Sequence, residues 1–375
     1  MVSGIFLTLM IGPMVPVPVP KEVTDALTAV EVTTSTTGPS MFQLSFGLST
    51  RSPLHTLFML QGGSMVPVIR VIIIVTVRGI PNVLMDGVIT EQDVSPGDKP
   101  GQSTLTVRGE DLTRVMDYIE FTGIPYPAMP AEARIALVIA KYAMFGMIPL
   151  VVPSIFTDIP IPVERIPAHE GTDLDYVKHL ADEAGYVFYI DPGPAPGTNV
   201  AYWGPEIKVG VPQPALNMDM DAHRNVESLN FRFDSQSKKL PIVWVQNPQT
   251  RVSIPLPIPD IDPLNPPLAA VPGLPKEFRF LPGTAKLSPT QAISRGAAEA
   301  SRSSDVVRGS GTLDVLRYGR VLKARALVGV RGAGPAFDGL HYVSSVTHRI
   351  KPGQYQQSFE LARNGLISLL PEVPP

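Results

Sequence analysis

Residues 171–190 form the stretch that most constrains how this chain folds, and they read GTDLDYVKHLADEAGYVFYI. Thr172 suits the N-cap of a helix, and Asp175 three residues later completes a capping-box pattern. Apolar residues then recur with a helical period until Gly185, which can adopt the left-handed conformation that ends a helix. Residues 186–190 are apolar and aromatic, and turn-forming residues follow them. The sequence therefore predicts a short capped helix that leads directly into a buried strand.

Proline is the second constraint, because the chain contains 41 prolines and they cluster. Proline removes a backbone donor, so extended segments and loops are expected in preference to long helices. The densest cluster is residues 255–275, where two interpretations stay open: an arm that reaches along a neighbouring subunit, or a surface loop. The apolar residues 5–11 precede another cluster, and no basic segment comes before them. A strand and a proline-stiffened arm are expected there, and a signal peptide is not.

Charge and cysteine content exclude several classes of protein. The 31 Lys and Arg residues nearly balance 34 Asp and Glu residues, which gives a net charge of −3 and no basic footprint for specific nucleic-acid binding. No uninterrupted apolar run reaches the length of a membrane helix, so stable membrane association is not expected. The chain has no cysteine, which excludes a disulfide framework and a thiolate metal site and fits assembly in a reducing cytoplasm.

Two regions show the pattern of short strands separated by turns. In residues 26–108, Phe42, Leu44 and Phe46 alternate with polar neighbours, and residues 68–77 form a nearly unbroken β-branched run. This spacing predicts a small barrel or sandwich. An outer-membrane barrel is not expected, because the strands are few, aromatic girdles are missing and proline is frequent. A second β region begins near Val226.

The residues between these regions have a mixed pattern. Residues 131–145 predict a helix, and residues 191–214 predict a loop in which Tyr202 and Trp203 serve as packing anchors. The whole section resembles an α/β insertion on a barrel scaffold. Further along, Ser288 begins a capping box with proline at the first helical position and predicts an alanine-rich helix.

The C-terminal region carries a run of strand and turn signals. Strands are predicted at residues 321–330, 341–347 and 355–362, with a glycine-rich turn after the first. His348 is placed just past the end of the second strand, and Gly353 forms part of the turn before the third.

These motifs resemble the baseplate hub family of contractile phage tails, which includes the late control protein D group and the corresponding modules of contractile injection systems. The resemblance rests on the Thr172-Asp173 pair with its helix and aromatic strand, and on the C-terminal strand ending in threonine and His348. It rests also on the Gly-x-Tyr turn at Tyr355 and on a last strand that ends in Arg363. The motifs lie far apart along the chain and occur in the order that the family has. The resemblance covers residues 25–366.

The resemblance implies an α+β, mostly β, tail-hub architecture with two small β-barrel-like domains and an inserted α/β region. The second of these domains would contain a proline-rich arm at 255–275 and a helix at 288–304. The boundaries that follow are 1–25 for an N-terminal strand and arm, 26–120 for the first barrel-like domain, 121–225 for the insertion, 226–366 for the second barrel-like domain and 367–375 for a tail.

The resemblance further implies a non-enzymatic structural baseplate hub, a homotrimer whose six barrel-like domains adapt a sixfold tail tube to a threefold spike. The expected partners are the tail tube protein, baseplate wedge components and a separate spike protein, since no long repetitive β-helical tail follows. The expected location is a virion or injection particle assembled in the bacterial cytoplasm. The alternative is a cell-surface or carbohydrate-binding β module. It requires an exposed aromatic platform, and the separation of Trp203 from Trp244 weighs against it.

No catalytic, cofactor-binding or metal-binding residue is predicted. His169 and Glu170 lack the second histidine of a metalloprotease helix, and neither a nucleophile elbow nor a phosphate-binding loop occurs. No inserted segment is large enough for the carboxylate pair of a wall-degrading domain. His348, beside Arg349, is interpreted as an interface or solvated-turn residue.

Overall fold

The computed structural model describes residues 4–48, 68–97, 103–154, 166–219, 224–246, 250, 252–260 and 266–370. The fold is α+β and mostly β, as predicted. The strands are β1 (Ile5–Gly12), β2 (Val17–Pro18), β3 (Leu27–Ser35), β4 (Met41–Leu48), β5 (Arg70–Val77), β6 (Ile80–Ser95), β7 (Ser103–Asp111), β8 (Met147–Val151), β9 (Val187–Pro192), β10 (Asn199–Gly204), β11 (Gln213–Asn217), β12 (Ser228–Phe233), β13 (Lys239–Gln246), β14 (Ser253–Pro257), β15 (Ala269–Pro272), β16 (Glu277–Phe280), β17 (Val307–Asp314), β18 (Leu327–Arg331), β19 (Gly339–Lys351), β20 (Gln354–Arg363) and β21 (Gly365–Ser368). The α-helices are α1 (Lys21–Asp25), α2 (Ala131–Ala140), α3 (Asp173–Ala184), α4 (Pro289–Arg302) and α5 (Val315–Tyr318).

A 13-stranded sheet dominates the molecule. Its path runs β12-β17-β20-β19-β3-β4-β7-β6-β5-β1-β2, while β18 joins beside β19 and β11 beside β18. Every neighbouring pair is antiparallel except β11 and β18. Purely local hairpins could not produce this order, because β3 pairs with β19 more than 300 residues away in the chain.

The main sheet contains one strand order twice. The N-terminal half runs β3-β4-β7-β6-β5-β1, and the C-terminal half runs β12-β17-β20-β19-β18-β11. When the strands of each half are matched in chain order, β1 corresponds to β11, β3 to β12, β4 to β17, β5 to β18, β6 to β19 and β7 to β20. Corresponding strands occupy the same position in the two strand orders. The last pairing of each half differs, since β1 is antiparallel to β5 whereas β11 is parallel to β18. The halves join where β19 pairs with β3.

Both halves contribute side chains to one apolar core. Val32 and Leu44 from the N-terminal half and Val328 and Phe359 from the C-terminal half belong to the same buried cluster. The long strands β6 and β19 each pair with a different neighbour at their two ends, and each carries a β-bulge at the change. Bulges bend a strand, so these two strands can contribute to both sides of the core.

The mixed section forms a separate small sheet, β8-β10-β9, with α2 and α3 packed on a second core. Trp203 of β10 is fully buried in that core, as an anchor should be. The prediction of a loop at 191–214 was wrong here, because β10 is the central strand and pairs with both neighbours. The proline and glycine residues just before β10 are typical of a turn, and β10 has only six residues. The sequence pattern therefore did not indicate a strand here. The helix predicted at 131–145 ends at Ala140 and is followed by a 3-10 turn at Ala143–Phe145.

The capped element at residues 172–190 forms as the sequence predicts. The Thr172 hydroxyl accepts a hydrogen bond from the Asp175 amide at 3.2 Å, and Gly185 ends α3 with a φ of 73°. The following strand β9 is mostly half-buried and not fully buried, because it lies at the edge of its sheet. A Cβ at Gly185 would lie 2.6 Å from the Ser294 carbonyl oxygen of α4, so this turn also needs glycine for packing.

Substituting Thr172 tests the energetic contribution of this cap. T172A is expected to lower the free energy of unfolding by about 1–2 kcal/mol, because the hydroxyl caps α3 and also donates to Asp117 Oδ1 at 3.0 Å. Urea unfolding followed by circular dichroism measures this change. T172S keeps the hydroxyl and should retain most of the stability. Equal losses in both variants would assign the effect to the threonine methyl group.

The proline-rich segments fold back onto their own chain. Strand β1 pairs with β5 along its whole length, and β2 turns back onto β1, so residues 5–18 belong to the main sheet. In the cluster at 255–275, β14 pairs with β13 and β15 pairs with β21, while residues 261–265 lie outside the described part. The C-terminal strand predicted at 321–330 begins only at Leu327.

Candidate assembly surface

Eight consecutive strands of the main sheet, β12-β17-β20-β19-β3-β4-β7-β6, present one polar face. Along most of these strands, buried side chains alternate with partly or fully exposed polar ones, and the register places the polar ones together. The exceptions are Met41 of β4, an exposed apolar residue on this face, and the end of β6, where Gln92 and Val94 on the opposite side are not buried. This polar face comprises Ser228, Asn230, Arg232, Arg308, Ser310, Thr312, Gln356, Ser358, Glu360, Ser345, Thr347, Arg349, Glu31, Thr33, Ser35, Gln43, Ser45, Thr104, Thr106, Arg108, Glu110, Glu91, Asp93 and Ser95.

Short hydroxyl side chains and exposed ion pairs characterise the polar face. At its centre, the Thr33 and Thr347 hydroxyls lie 3.0 Å apart, and Arg349 Nε lies 3.5 Å from Glu31 Oε2. Such exposed ion pairs contribute little to stability, so the fold does not require charged side chains at these positions. A surface of this composition stays hydrated, and the apolar area that it exposes, at Met41, is small for a tight complex.

Within the described residues, the polar face ends in two strands that each have one unpaired edge. On one side, β12 pairs only with β17; on the other, β6 pairs only with β7 beyond Ile89, as far as the described residues show. Unpaired backbone amides and carbonyls at such edges are a template for a further strand. Arg232 and Arg308 lie directly opposite each other at the first edge, and Glu91 and Asp93 lie at the second.

A charged cleft of about 730 Å³ lies where the α/β section and α4 meet the polar face. Burial raises the pKa of the Glu206 carboxyl, and Lys208 opposes this rise. Lys208 Nζ lies 2.7 Å from Asp305 Oδ2 and 4.0 Å from Glu206 Oε2. Burial tends to lower the pKa of Lys208, but Asp305 and Glu206 outweigh it and the net shift is upward. The ammonium thus pairs closely with Asp305 and lies near Glu206, and the group connects the segment after β10 to the end of α4.

The C-terminal motif residues are structural. Arg363 is fully buried, and its guanidinium donates to the carbonyl oxygens of Ala336, Asp338 and Gly365, which closes the turn before β19. His348 lies inside β19 and is buried, with Nδ1 2.8 Å from the Tyr355 hydroxyl. The interpretation of His348 as a solvated-turn residue was therefore wrong. Its strand continues to Lys351, which the turn-forming Pro352 and Gly353 did not reveal.

Both buried histidines of β19 are held neutral. Burial lowers the pKa of His348 to about 3. Burial, assisted by the nearby Arg363 charge, lowers the pKa of His341 to about 3 as well. The His341 Nδ1 atom lies 3.2 Å from the Gly339 carbonyl oxygen, so this ring also stabilises the start of the strand.

The two tryptophans lie in different sheets, as predicted, but Trp244 belongs to an exposed aromatic group. Strands β14-β13-β16 form a three-stranded sheet with α4 against one face. On the other face Trp244 stacks with Phe280 at 5.8 Å between ring centroids, and Phe278 and Phe280 are 66% and 55% exposed. We call Trp244, Phe278 and Phe280 the aromatic patch.

Sequence analysis did not identify the residues at the strand edges. The alternation at residues 42–46 indicated the two faces of one strand, but edge positions depend on which strands pair, and these pairings span most of the chain. Within the described ranges, no group of three or more His, Asp or Glu residues could hold a metal ion. No helix of the described residues is long and apolar enough to span a membrane.

The fold is that of phage tail proteins. A tail protein from Neisseria meningitidis MC58 superimposes with a TM-score of 0.63 over 97% of this chain and 98% of its own, at 13% sequence identity. The 43 kDa tail protein of prophage MuSo2 from Shewanella oneidensis gives a TM-score of 0.62 over 96% of this chain and 98% of its own, at 15% identity.

The same fold occurs within a longer chain of a protein complex. A chain of the Francisella PdpA–VgrG complex matches 99% of this chain with a TM-score of 0.64, at 9% identity, and the match covers 54% of that longer chain. Identities this low define the class by fold alone. No protein-family model and no curated protein matches the sequence. The chain therefore has the architecture of tail and baseplate proteins, which agrees with the resemblance that its motifs carry.

Proposed function

We propose that this protein is the baseplate hub of a contractile tail or injection system, where three copies form a ring between a sixfold tail tube and a threefold spike. The observation that carries the proposal is the repeated strand order of the main sheet. Two halves of the same order in one chain give a trimer six similar units, so three copies can match a sixfold neighbour at one end and a threefold neighbour at the other.

The polar face supports a channel-lining role in this ring. Each copy would contribute the eight strands of that face, and three copies would supply about 24 strands. Barrels of 16 or more strands are wide enough for an aqueous channel. A hydrated lining of hydroxyls and mixed charges allows a charged or unfolded cargo to pass without strong binding.

The partners follow from the same arrangement. The tail tube protein would stack on one end of the ring and a separate spike protein on the other, while baseplate wedge components would contact the outside. The aromatic patch offers these partners an apolar docking area on a sheet that lies outside the main sheet. Assembly in the bacterial cytoplasm and incorporation into a virion or injection particle complete the proposal.

We assign no catalytic role to the protein. The half-buried carboxylates of the charged cleft, Glu206 and Asp305, are the groups that an enzyme would use as acid and base. Both lie beside the Lys208 ammonium, which holds Asp305 at 2.7 Å. The tight ion pair occupies the Asp305 carboxylate, which leaves Glu206 without a second free carboxylate as its partner, so the cleft is proposed to be an anchoring network.

A carbohydrate-binding β module is the second candidate, and the aromatic patch is the observation that favours it. Sugar-binding platforms combine aromatic rings with polar groups that hydrogen-bond hydroxyls. The cross-strand neighbours of the patch are Leu240, Ile242 and Pro255, which offer no such side-chain groups. The patch therefore fits a protein surface better than a sugar.

Measuring assembly tests the hub proposal. Light scattering on the purified full-length protein should give the mass of a trimer, and negative-stain images should show rings with a central channel. A protein that stays monomeric at all soluble concentrations and binds immobilised glycans would contradict the hub and support the second candidate. W244A/F280A serves as a control, since it should abolish glycan binding without changing a ring built from the main sheet.

A further inference from the structure

We propose that a groove beside the first strand receives an extended segment of the spike protein, which pairs with β1 opposite Leu7 and Ile5. The inference rests on the proposed hub and adds the site at which each copy would hold one spike chain. It depends on three observations: a stretch of β1 without a pairing partner, an apolar groove along that stretch, and the closure of the equivalent position in the C-terminal half.

The unpaired stretch of β1 follows from the way its two neighbours bind it. Strand β5 pairs with the whole length of β1 on one side. On the other side β2 pairs only with the end of β1, and the Val19 amide donates to the Leu9 carbonyl oxygen at 3.0 Å. Backbone groups alternate in direction along an antiparallel strand, so those of Leu7 and Ile5 point to the same side as those of Leu9. Among the described residues, no backbone group pairs with them on that side.

The chain itself stops short of these positions because a helix begins there. Residues 17–19 run antiparallel to β1, and a continuation of this strand would lie opposite Leu7 and then Ile5. Instead, Pro20 is the N-cap of α1, which takes the chain away from this edge until β3 begins at Leu27. A segment of another chain can therefore continue β2 along β1, because the backbone donors and acceptors for a further strand are present.

An apolar groove of about 290 Å³ lies along the unpaired stretch. Its apolar lining lies at the margin of the main core, and the exposed residues Thr28, Lys351 and Gln354 lie at its rim. Side chains of a strand alternate between its two faces, so a segment paired with β1 would place every second side chain in the groove. An aliphatic residue there would cover apolar surface that is now in contact with water. The apolar lining residues are Ile5, Leu7, Leu27, Val30, Ile350 and Tyr355.

The C-terminal half closes the equivalent position with its own chain. Strand β11 corresponds to β1, and Asn225, just before β12, binds the side of β11 that faces away from β18. The Asn225 amide donates to the Asn217 carbonyl oxygen at 3.1 Å. Its side chain donates to the Ala215 carbonyl oxygen at 2.8 Å and accepts from the Asn217 amide at 2.7 Å. The next residue, Val226, is fully buried in the main core. The occupant of this position in the C-terminal half is thus an extended segment with an aliphatic side chain.

The number of open grooves favours the spike as the partner. Within the described residues, only the N-terminal half of each chain leaves this position open, so a trimer would offer three grooves and not six. A threefold partner can fill three equivalent sites with one segment from each of its chains, whereas a sixfold tube would leave half of its chains without a site. The groove therefore fits an extended segment of each spike chain.

Photo-crosslinking in the assembled particle tests the identity of the partner. With p-benzoylphenylalanine in place of Thr28 at the rim of the groove, illumination should join this protein to the spike protein, which mass spectrometry identifies. Phe6 is the matched control position, because its side chain lies on the opposite face of β1 and is 58% exposed. The same photoreactive residue at position 6 should give at least about tenfold less of the spike product.

Two variants at one position test the backbone pairing. L7P and L7A both remove most of the leucine side chain, but only proline also removes the outward amide hydrogen. L7P should therefore reduce crosslinking from position 28 at least about tenfold below that of L7A, as expected for one or two lost hydrogen bonds. Hydrogen exchange needs no variant: the Leu7 amide should exchange at least about tenfold more slowly in the particle than in the isolated ring.

The outcomes separate this inference from the hub proposal. Rings in which position 28 crosslinks only to the tube protein, to another copy of this chain or to nothing overturn the assignment of the groove and leave the hub intact. Equal exchange of the Leu7 amide in ring and particle, or equal crosslinking of L7P and L7A, overturns the strand pairing. A protein that forms no ring and is absent from particles overturns both proposals.

Discussion

R70M is expected to lower the free energy of unfolding by about 3–5 kcal/mol. Arg70 interrupts the β-branched run of β5, and its side chain is 3% exposed. The guanidinium contacts both Asp86 carboxylate oxygens at 2.7 Å and donates to the Phe145 carbonyl oxygen at 2.7 Å. The Asp86 carboxylate also accepts from the Asn199 amide at 2.9 Å. The network thus attaches the α/β section to the main sheet.

The size of this effect follows from the charge that remains. Methionine keeps the apolar stem of Arg70 but leaves the Asp86 carboxylate buried without a cation, and an uncompensated buried charge is strongly unfavourable. Urea unfolding followed by fluorescence measures the change. R70M/D86L removes both charges and should recover most of the loss, while R349M breaks an exposed ion pair and should cost less than about 1 kcal/mol. An R70M protein as stable as R349M would show that the network does not hold the two parts together.

Lowering the pH from 7 to 5 is expected to destabilise the protein by about 4 kcal/mol through His341 and His348. The pKa of each is lowered to about 3 by burial, from an ordinary value near 6.5. A lowered pKa means that the unfolded chain binds protons more readily than the folded one. The stabilisation is therefore complete above pH 6.5 and is lost as the pH falls toward 3, by about 2 kcal/mol for each histidine at pH 5.

Urea midpoints at pH 7 and pH 5 measure this dependence. H348Q keeps a polar side chain near the Tyr355 hydroxyl and should remove about 2 kcal/mol of the difference between the two pH values. His341 and His169, whose pKa burial also lowers, contribute to the rest. H179Q is the control, since His179 is largely exposed and should leave the difference unchanged. Burial raises the carboxyl pKa of Asp191 and Glu206, which favours the folded state at low pH, so these groups reduce the net effect. A difference that H348Q does not alter would refute the assignment to His348.

The local elements were predictable because their causes are local. The Thr172 cap, the left-handed Gly185 and the capping box of Ser288 with Gln291 each depend on residues within one helical turn. The alternation in β4 likewise follows from the two-residue period of a strand with one buried face. The family motifs extended these local predictions to the correct fold, since they occur at the right positions along the chain.

Pairing partners were beyond the reach of sequence patterns. Strand β10 was predicted as a loop because its flanks resemble turns, yet it is the centre of a sheet whose other members lie before it in the chain. His348 was placed in solvent because a turn follows closely, whereas Tyr355 and Gln357 from the next strand enclose it. Arg70 stood out as a charge in an apolar run, but only the fold identifies Asp86 and Asn199 as its partners.

The sequence by itself determined the capped helix at Thr172, the alternation of the strands and the motifs typical of tail hubs, because each of these is encoded within a few neighbouring residues. The tertiary structure alone decided that the two β regions share one strand order, and that the polar face ends in edges of opposite charge at β12 and β6. The reason is that a strand's neighbours are chosen by core packing and backbone pairing across hundreds of residues, which no local pattern records.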